Sequence, residues 1–159
     1  MTQAADILIR PMEPGEEDAV HSLVAGCFNS FIAPGYSQEG VDKFYEYVQP
    51  ECIRLRSGDG HFLLVAVADG VIAGIIEVRN YDHVSLFFVD ERCQGQGVGR
   101  SLFEAALELC RGHDPALASL TVNSSPYAVP VYGKLGFRPV EPEKVVNGIR
   151  FTPMKLDLV

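Results

Sequence analysis

The sequence has no run of lysines and arginines, and its 13 basic residues are outnumbered by 21 acidic ones, for a formal net charge of −8. A partner held through its phosphates needs a basic patch, so nucleic acid is not an expected ligand. The same imbalance mildly favours a cationic small molecule such as an amine, through long-range attraction. There is no C-x-x-C pair: the four cysteines fall at positions 27, 52, 93 and 110. That spacing suits neither a zinc site nor a small disulfide framework, so no metal is expected and reduced thiols are the default. The longest apolar runs, such as Phe62 to Ala68, are far short of the ~20 residues a membrane helix requires. Met1 to Asp6 lack the basic and apolar regions of a secretory leader. The expectation is a cytoplasmic protein without a membrane partner. No internal repeat or low-complexity tract is visible. The 159 residues, 47% hydrophobic and 21% charged, fit one soluble globular domain spanning 1–159, large enough for a real core.

The chain is organised around residues 84–110. An apolar run, Val84 to Val89, leads into Asp90-Glu91-Arg92-Cys93-Gln94-Gly95-Gln96-Gly97-Val98-Gly99-Arg100, and an amphipathic run, Ser101 to Cys110, leads out. The order is buried strand, glycine-rich polar loop, helix. Glycines at alternate positions let the backbone turn tightly and present N–H groups without Cβ atoms in the way. A helix starting there adds its unpaired N–H groups and the positive end of its dipole. Together they make a seat for a phosphate or pyrophosphate. Two other phosphate loops fail on spacing: no Lys follows Gly99, as a P-loop requires, and Gly99 comes one place early for the dinucleotide fingerprint G-x-G-x-x-G.

Along the rest of the chain, Ile7–Arg10 reads as a first strand stopped by Pro11. Glu16 to Phe31 reads as a helix, with Val20, Leu23, Val24, Cys27, Phe28 and Phe31 on its apolar face. A second helix is expected after Ser37, with a further turn to Arg56. The aromatics between Phe28 and Tyr47 read as helix packing or as part of an acceptor pocket. Phe62–Ala68, Asp69-Gly70 and Val71–Arg79 form the clearest hairpin. His83–Val89 extends it to a three-stranded meander. A helix over 98–110 and a strand over 119–123 follow. A short helix is predicted from Tyr127 to Leu135, capped by Ser125 with Pro126 at its first position, and bent or cut short by Pro130. Strands 137–140 and 149–156 close the chain.

Gln94-Gly95-Gln96-Gly97-Val98-Gly99 resembles the acetyl-CoA loop of the GNAT N-acetyltransferase superfamily, Gln/Arg-x-x-Gly-x-Gly/Ala. Tyr132-Gly133-Lys134-Leu135-Gly136-Phe137 resembles the Y-x-K-x-G-F ending of the last helix in those enzymes. The two motifs occur in the family order, and the strand–helix order from Ile7 to Leu156 is also similar. The resemblance implies an α+β fold in three layers, a mixed, mostly antiparallel central sheet flanked by helices. Its central strands splay apart, with acetyl-CoA in the gap. It further implies that the pyrophosphate rests on backbone N–H groups from Gln94, Gly95, Gln96, Gly97, Val98 and Gly99, with Arg100 and Ser101 opening the helix. Phe87, Phe88 and Val89 would run beside the pantetheine arm. Where the family often has Asn this chain has Ser125, and Asn123 is the neighbouring substitute.

Acyl transfer to an amine poses two proton problems. An alkylamine of pKa near 10.4 is unprotonated in only roughly one molecule in two thousand at neutral pH, so a base is needed. The departing thiolate needs an acid. By resemblance Tyr132 is the acid, and His83 stands where some family members carry a catalytic Glu. Glu77, on the preceding strand, is the second candidate base, although strand alternation more readily turns a polar residue there to solvent. The N–H of Val89 or Phe88 would stabilise the oxyanion. The expected activity is acetyl-CoA-dependent acetylation of a primary amine, on a small molecule or a peptide, by direct attack in a ternary complex. The alternatives are a non-catalytic acyl-CoA-binding or regulatory module, and a nucleotide-binding protein using the same loop. The sequence leaves the acceptor and the oligomeric state open, a homodimer being the common symmetric assembly.

Overall fold

The computed structural model describes residues 6–158, so the leader expectation rests largely on residues outside them. The strands are β1 (Ile7–Pro11), β2 (His61–Ala68), β3 (Val71–Arg79), β4 (His83–Val89), β5 (Ser119–Ser124), β6 (Arg138–Pro139), β7 (Lys144–Val146) and β8 (Ile149–Asp157). The helices are α1 (Glu17–Phe31), α2 (Gln38–Tyr47), α3 (Pro50–Arg56), α4 (Val98–His113) and α5 (Val129–Lys134). One sheet runs in the order β1-β2-β3-β4-β5-β8-β6, with β7 paired to β8. Every pairing is antiparallel except β4 with β5. This is the mixed, mostly antiparallel α+β architecture the sequence implies.

Local chemistry accounts for the β2–β3 hairpin. Asp69 and Gly70 adopt φ of +52° and +77°, two left-handed residues whose twist matches the flanking strands. Alternation along β2 then sends Leu63 and Val65 to one core and Leu64 and Ala66 to the other. Helix α4 packs Val98, Leu102, Phe103, Ala106 and Cys110 on the second face. Helices α1 and α3 cover the first with Val20, Val24 and Ile53. Each fully buried aliphatic side chain contributes about 1.5–3 kcal/mol relative to exposure.

Two irregularities shape the centre. The β3–β4 register passes from Glu77 opposite Leu86 to Val78 opposite Val84, leaving Ser85 as an extra residue in β4. That bulge switches parity: Val84 joins the α4 core and Leu86 the α1–α3 core, although they are two residues apart. The parallel β4–β5 ladder has only two pairs, His83 with Thr121 and Val84 with Val122. Beyond them the strands run apart, and the expected splay is observed.

Three local expectations are corrected. Helix α4 continues to His113. The helix predicted from Tyr127 starts at Val129, because Ser125 to Ala128 form a turn in which Ala128 N donates to Ser125 O at 3.1 Å and to its Oγ at 3.3 Å. Pro130 thus sits in the first helical turn, where no N–H is needed. Between the closing strands lies an additional hairpin, β7–β8, turning on Asn147 and Gly148 with φ of +53° and +79°. Gly40 of α2 rests on that turn, and an added Cβ there would overlap the Gly148 carbonyl. Among the described residues, no helix is long and apolar enough to cross a membrane.

Candidate active site

Where β4 and β5 diverge, a cavity of about 750 Å³ opens. One wall is β4 from Ser85 to Val89, and another is Val122, Asn123 and Ser125 at the end of β5. The glycine loop closes one end. Residues of α1, α2 and α5 complete the enclosure.

The loop is built for an anion. Asp90 accepts from Arg92 N at 2.9 Å and starts a 3-10 turn at Glu91–Cys93. Gly95 and Gly97 then take φ of +80° and +84°, and a Cβ at either would meet no protein atom within 4 Å. The left-handed backbone favours glycine there, and the space before the loop is open. Among the described residues, the N–H groups from Gly95 to Arg100 enter no hydrogen bond. They lie at the N-terminus of α4, a helix of 16 residues, whose dipole adds positive potential. Free N–H groups at a helix N-terminus are the chemistry that holds a phosphate or pyrophosphate.

Of the residues the sequence singled out, Phe87, Phe88, Val89, Gln94, Gly95, Gly97, Gly99, Arg100, Asn123, Ser125 and Tyr132 all border the cavity. Gln96, Val98 and Ser101 do not. The Gln96 amide turns back to Arg92 O at 3.3 Å, Val98 is buried under the sheet, and Ser101 N already donates to Gly97 O at 3.0 Å. Ser125 Oγ is engaged in its own turn, whereas Asn123 is exposed at the strand end. Along β4, Asp90 N donates to Ala73 O at 2.8 Å toward β3. Alternation therefore aims Phe88 N at β3 and Val89 N at the gap. In keeping with this, Val89 O accepts from Cys27 Sγ and the Gln94 amide rather than from β3.

Tyr132 is buried at the cavity edge between Phe87 and Phe137, with ring centroids at 6.0 and 5.4 Å. Burial alone pushes its phenol far above the ordinary value. Its hydroxyl forms no hydrogen bond among the described residues, and no buried side-chain polar atom there lacks a partner. The hydroxyl is therefore not sealed off without a partner, and Tyr132 borders the cavity.

The candidate bases are placed differently from the expectation. Glu77 does not face solvent: it is fully buried, because helices cover this face of β3 as α4 covers the other. Ser85 Oγ donates to Glu77 Oε1 at 2.7 Å, and the Tyr47 hydroxyl donates to the same oxygen at 3.1 Å. Arg56 Nε donates to Oε2 at 3.2 Å. Arg56 also donates to Tyr47 O at 2.6 Å and lies 3.7 Å over its ring. Glu77 thus lies behind the cavity, while Ser85 and Tyr47 line it. His83 does not reach the cavity either. It sits where β4 and β5 are still paired, its Nδ1 2.8 Å from Thr121 Oγ1. Burial, then nearby Arg79, holds its pKa below the ordinary value, against an opposing effect of Asp82. Tyr47 is among the aromatics read as helix packing or an acceptor pocket, and it does line the cavity, but its bond to Glu77, and Ser85 altogether, were missed by sequence reasoning. The bulge that aims Ser85 leaves no local signature, and Tyr47 lies 30 residues from Glu77.

The model of the acetyltransferase (GNAT) domain matches residues 32–158, and the chain belongs to that family. Among solved structures it is similar to a GCN5-related N-acetyltransferase from Rhodopseudomonas palustris, with 22% identity over 99% of both chains and a TM-score of 0.83. It is also similar to the PaiA N-acetyltransferase of Thermoplasma acidophilum in complex with coenzyme A: 17% identity, 96% of this chain and 99% of that one, TM-score 0.77. A third is the ribosomal-protein-S18-alanine N-acetyltransferase of Escherichia coli, with 16% identity over 96% of this chain and 94% of that one, TM-score 0.67. At these identities the likeness is one of fold. No curated protein sequence matches the chain significantly.

Proposed function

We propose that this chain, acting as one catalytic domain over residues 1–159, transfers the acetyl group of acetyl-CoA to a primary amine by direct attack in a ternary complex. The observation that carries the reading is the end of the β4–β5 ladder at Val84 and Val122. It opens a cavity bordered by both the anion-binding loop and Tyr132. Acetyl-CoA, when bound, supplies a thioester carbon as the electrophile.

The protein's own groups cover the remaining needs. The N–H groups of Gly95 to Gly99 hold the pyrophosphate, with Arg100 as a further cation. Val89 N–H, aimed into the gap, donates to oxygen charge as it develops. Tyr132 keeps its proton at neutral pH and gives it to the departing sulfur. Ser85 and Tyr47 present hydroxyls whose own protons lean on Glu77. A proton leaving the amine passes through them, or a water between them, toward that carboxylate. Its charge is offset by Arg56, so the relay gains orientation more than basicity.

One observation favours a second reading, a CoA-binding module without turnover: among the described residues no carboxylate or histidine lines the cavity. The two separate on one experiment, thiol release from acetyl-CoA with a panel of primary amines. Amine-dependent release above the hydrolytic background supports transfer. Saturable CoA binding without any amine-dependent release would support the module.

A further inference from the structure

The charge of the cavity runs opposite to that of the chain. Acidic residues outnumber basic ones overall, yet among the described residues no Asp or Glu borders the cavity and three cations do. Arg100 and Lys134 belong to α4 and α5, beside the anion loop and Tyr132. Lys43 stands on the other wall, on α2. That wall is aromatic, with Phe44 and Tyr47 on the same helix and Phe31 at the end of α1. The rings are fixed. Phe44 stacks on buried Phe28 with centroids 3.9 Å apart, and Phe31 stacks on Tyr127 at 4.8 Å. Among the described residues Lys43 has one ion-pair partner, Glu46 of its own helix, in a loose surface pair that leaves the ammonium open to another carboxylate. Glu46 approaches it only to 3.8 Å, and both side chains are well exposed. Glu77 is behind the cavity and paired with Arg56.

A polyamine, an aminoglycoside or a lysine-rich peptide brings several positive charges. Such a ligand would find no counter-charge on this lining and a like charge at Lys43. An aromatic body would displace water from ring walls already in place, and a carboxylate would find its partner at Lys43. Resting on the transferase reading above, we propose that the acceptor is a primary amine of the aromatic amino-acid class, its ring against Phe31 and Phe44 and its carboxylate paired with Lys43. In the transfer the thioester C–S bond breaks and an amide N–C bond forms. The amine nitrogen gives up one proton, and the sulfur takes up one to leave as the thiol.

The test compares initial thiol-release rates with L-phenylalanine, L-alanine, 2-phenylethylamine and spermidine as acceptors, beside the thermal shift given by acetyl-CoA alone. L-Phenylalanine should give the highest kcat/KM, more than about tenfold over L-alanine because a phenyl group is buried. Its advantage over 2-phenylethylamine should be about fivefold, the size expected for a half-exposed charge pair. Lys43→Glu should reverse that second preference and Lys43→Met should erase it. Both changes fall on an exposed helix position, and the thermal shift with acetyl-CoA reports whether each variant is folded. Preference for spermidine, no use of L-phenylalanine, or a preference ratio unmoved by Lys43→Glu would overturn the proposal. In those cases an acetyl-CoA shift leaves the transferase reading standing. Absence of that shift in the wild type removes both.

Discussion

Ser85 Oγ lies 2.7 Å from Glu77 Oε1, joined across the bulge that places Ser85 in β4 opposite no partner residue. A cavity-lining hydroxyl is thereby tied to a fully buried carboxylate, which Arg56 and Tyr47 hold from the other side. The arrangement is a structural strut and, in the transfer proposed above, also the path for the amine proton. The two roles respond differently to substitution.

Glu77→Ala should cost about 3–5 kcal/mol, because it leaves the Arg56 guanidinium without its buried partner. Glu77→Gln, which keeps most of the hydrogen bonds, should cost less. Ser85→Ala should leave stability within about 1.5 kcal/mol of wild type while lowering kcat more than it raises KM. Urea denaturation and steady-state kinetics on the three variants check this. A Ser85→Ala enzyme with unchanged kcat would remove the relay.

Much of this site was legible because its signals are local. The hexapeptide Gln94–Gly99 carries its own backbone requirement, met at Gly95 and Gly97. The Asp69-Gly70 turn fixes the hairpin that leads to it, and Tyr132 stands in a motif of six residues. The Glu77 cluster was not legible, since Tyr47 and Arg56 reach it from 30 and 21 residues away. Glu77 seen alone reads as a solvent-facing strand residue or an isolated base. His83 was suggested by its offset from the loop motif. The bulge at Ser85 lies between the two and changes which residue of β4 meets the cavity. The β7–β8 hairpin did have a local signal, Asn147-Gly148, set among residues too polar to suggest strands.

Tyr132→Phe should lower kcat by about a hundredfold, the scale of a general acid, with acetyl-CoA affinity roughly kept. Burial holds the phenol of Tyr132 far above its ordinary value. Wild-type kcat should therefore show no fall from Tyr132 ionisation up to about pH 10. A loss of kcat near pH 8 that disappears in Tyr132→Phe would contradict the assignment.

His83 has a lowered pKa in the fold, so the unfolded chain takes up its proton first as pH falls. Its contribution to stability is complete above about pH 6.5 and is lost as the pH drops through the folded value. Denaturation at pH 7.5 and pH 5 should show a smaller acid penalty in His83→Gln than in wild type. The pH–rate profile of His83→Gln should follow wild type, because the residue is outside the cavity. A displaced profile would return His83 to the list of bases.

Gly40→Ala should destabilise by about 1–3 kcal/mol, since its Cβ would overlap the Gly148 carbonyl and push α2 from the β7–β8 turn. Helix α2 carries Lys43, Phe44 and Tyr47, so KM for the amine should rise more than KM for acetyl-CoA. Equal changes in the two would mean that α2 does not form the acceptor wall.

The most direct test of the account is a thermal-shift titration with acetyl-CoA, CoA, ATP and NAD in parallel. A ligand that binds only the folded state raises stability with its concentration over Kd. Acetyl-CoA and CoA should each raise Tm by several degrees at a hundredfold excess over Kd, and ATP and NAD should give little. No shift with either CoA species, or a larger one with ATP or NAD, would contradict the assignment of Gln94–Gly99 as the CoA pyrophosphate seat.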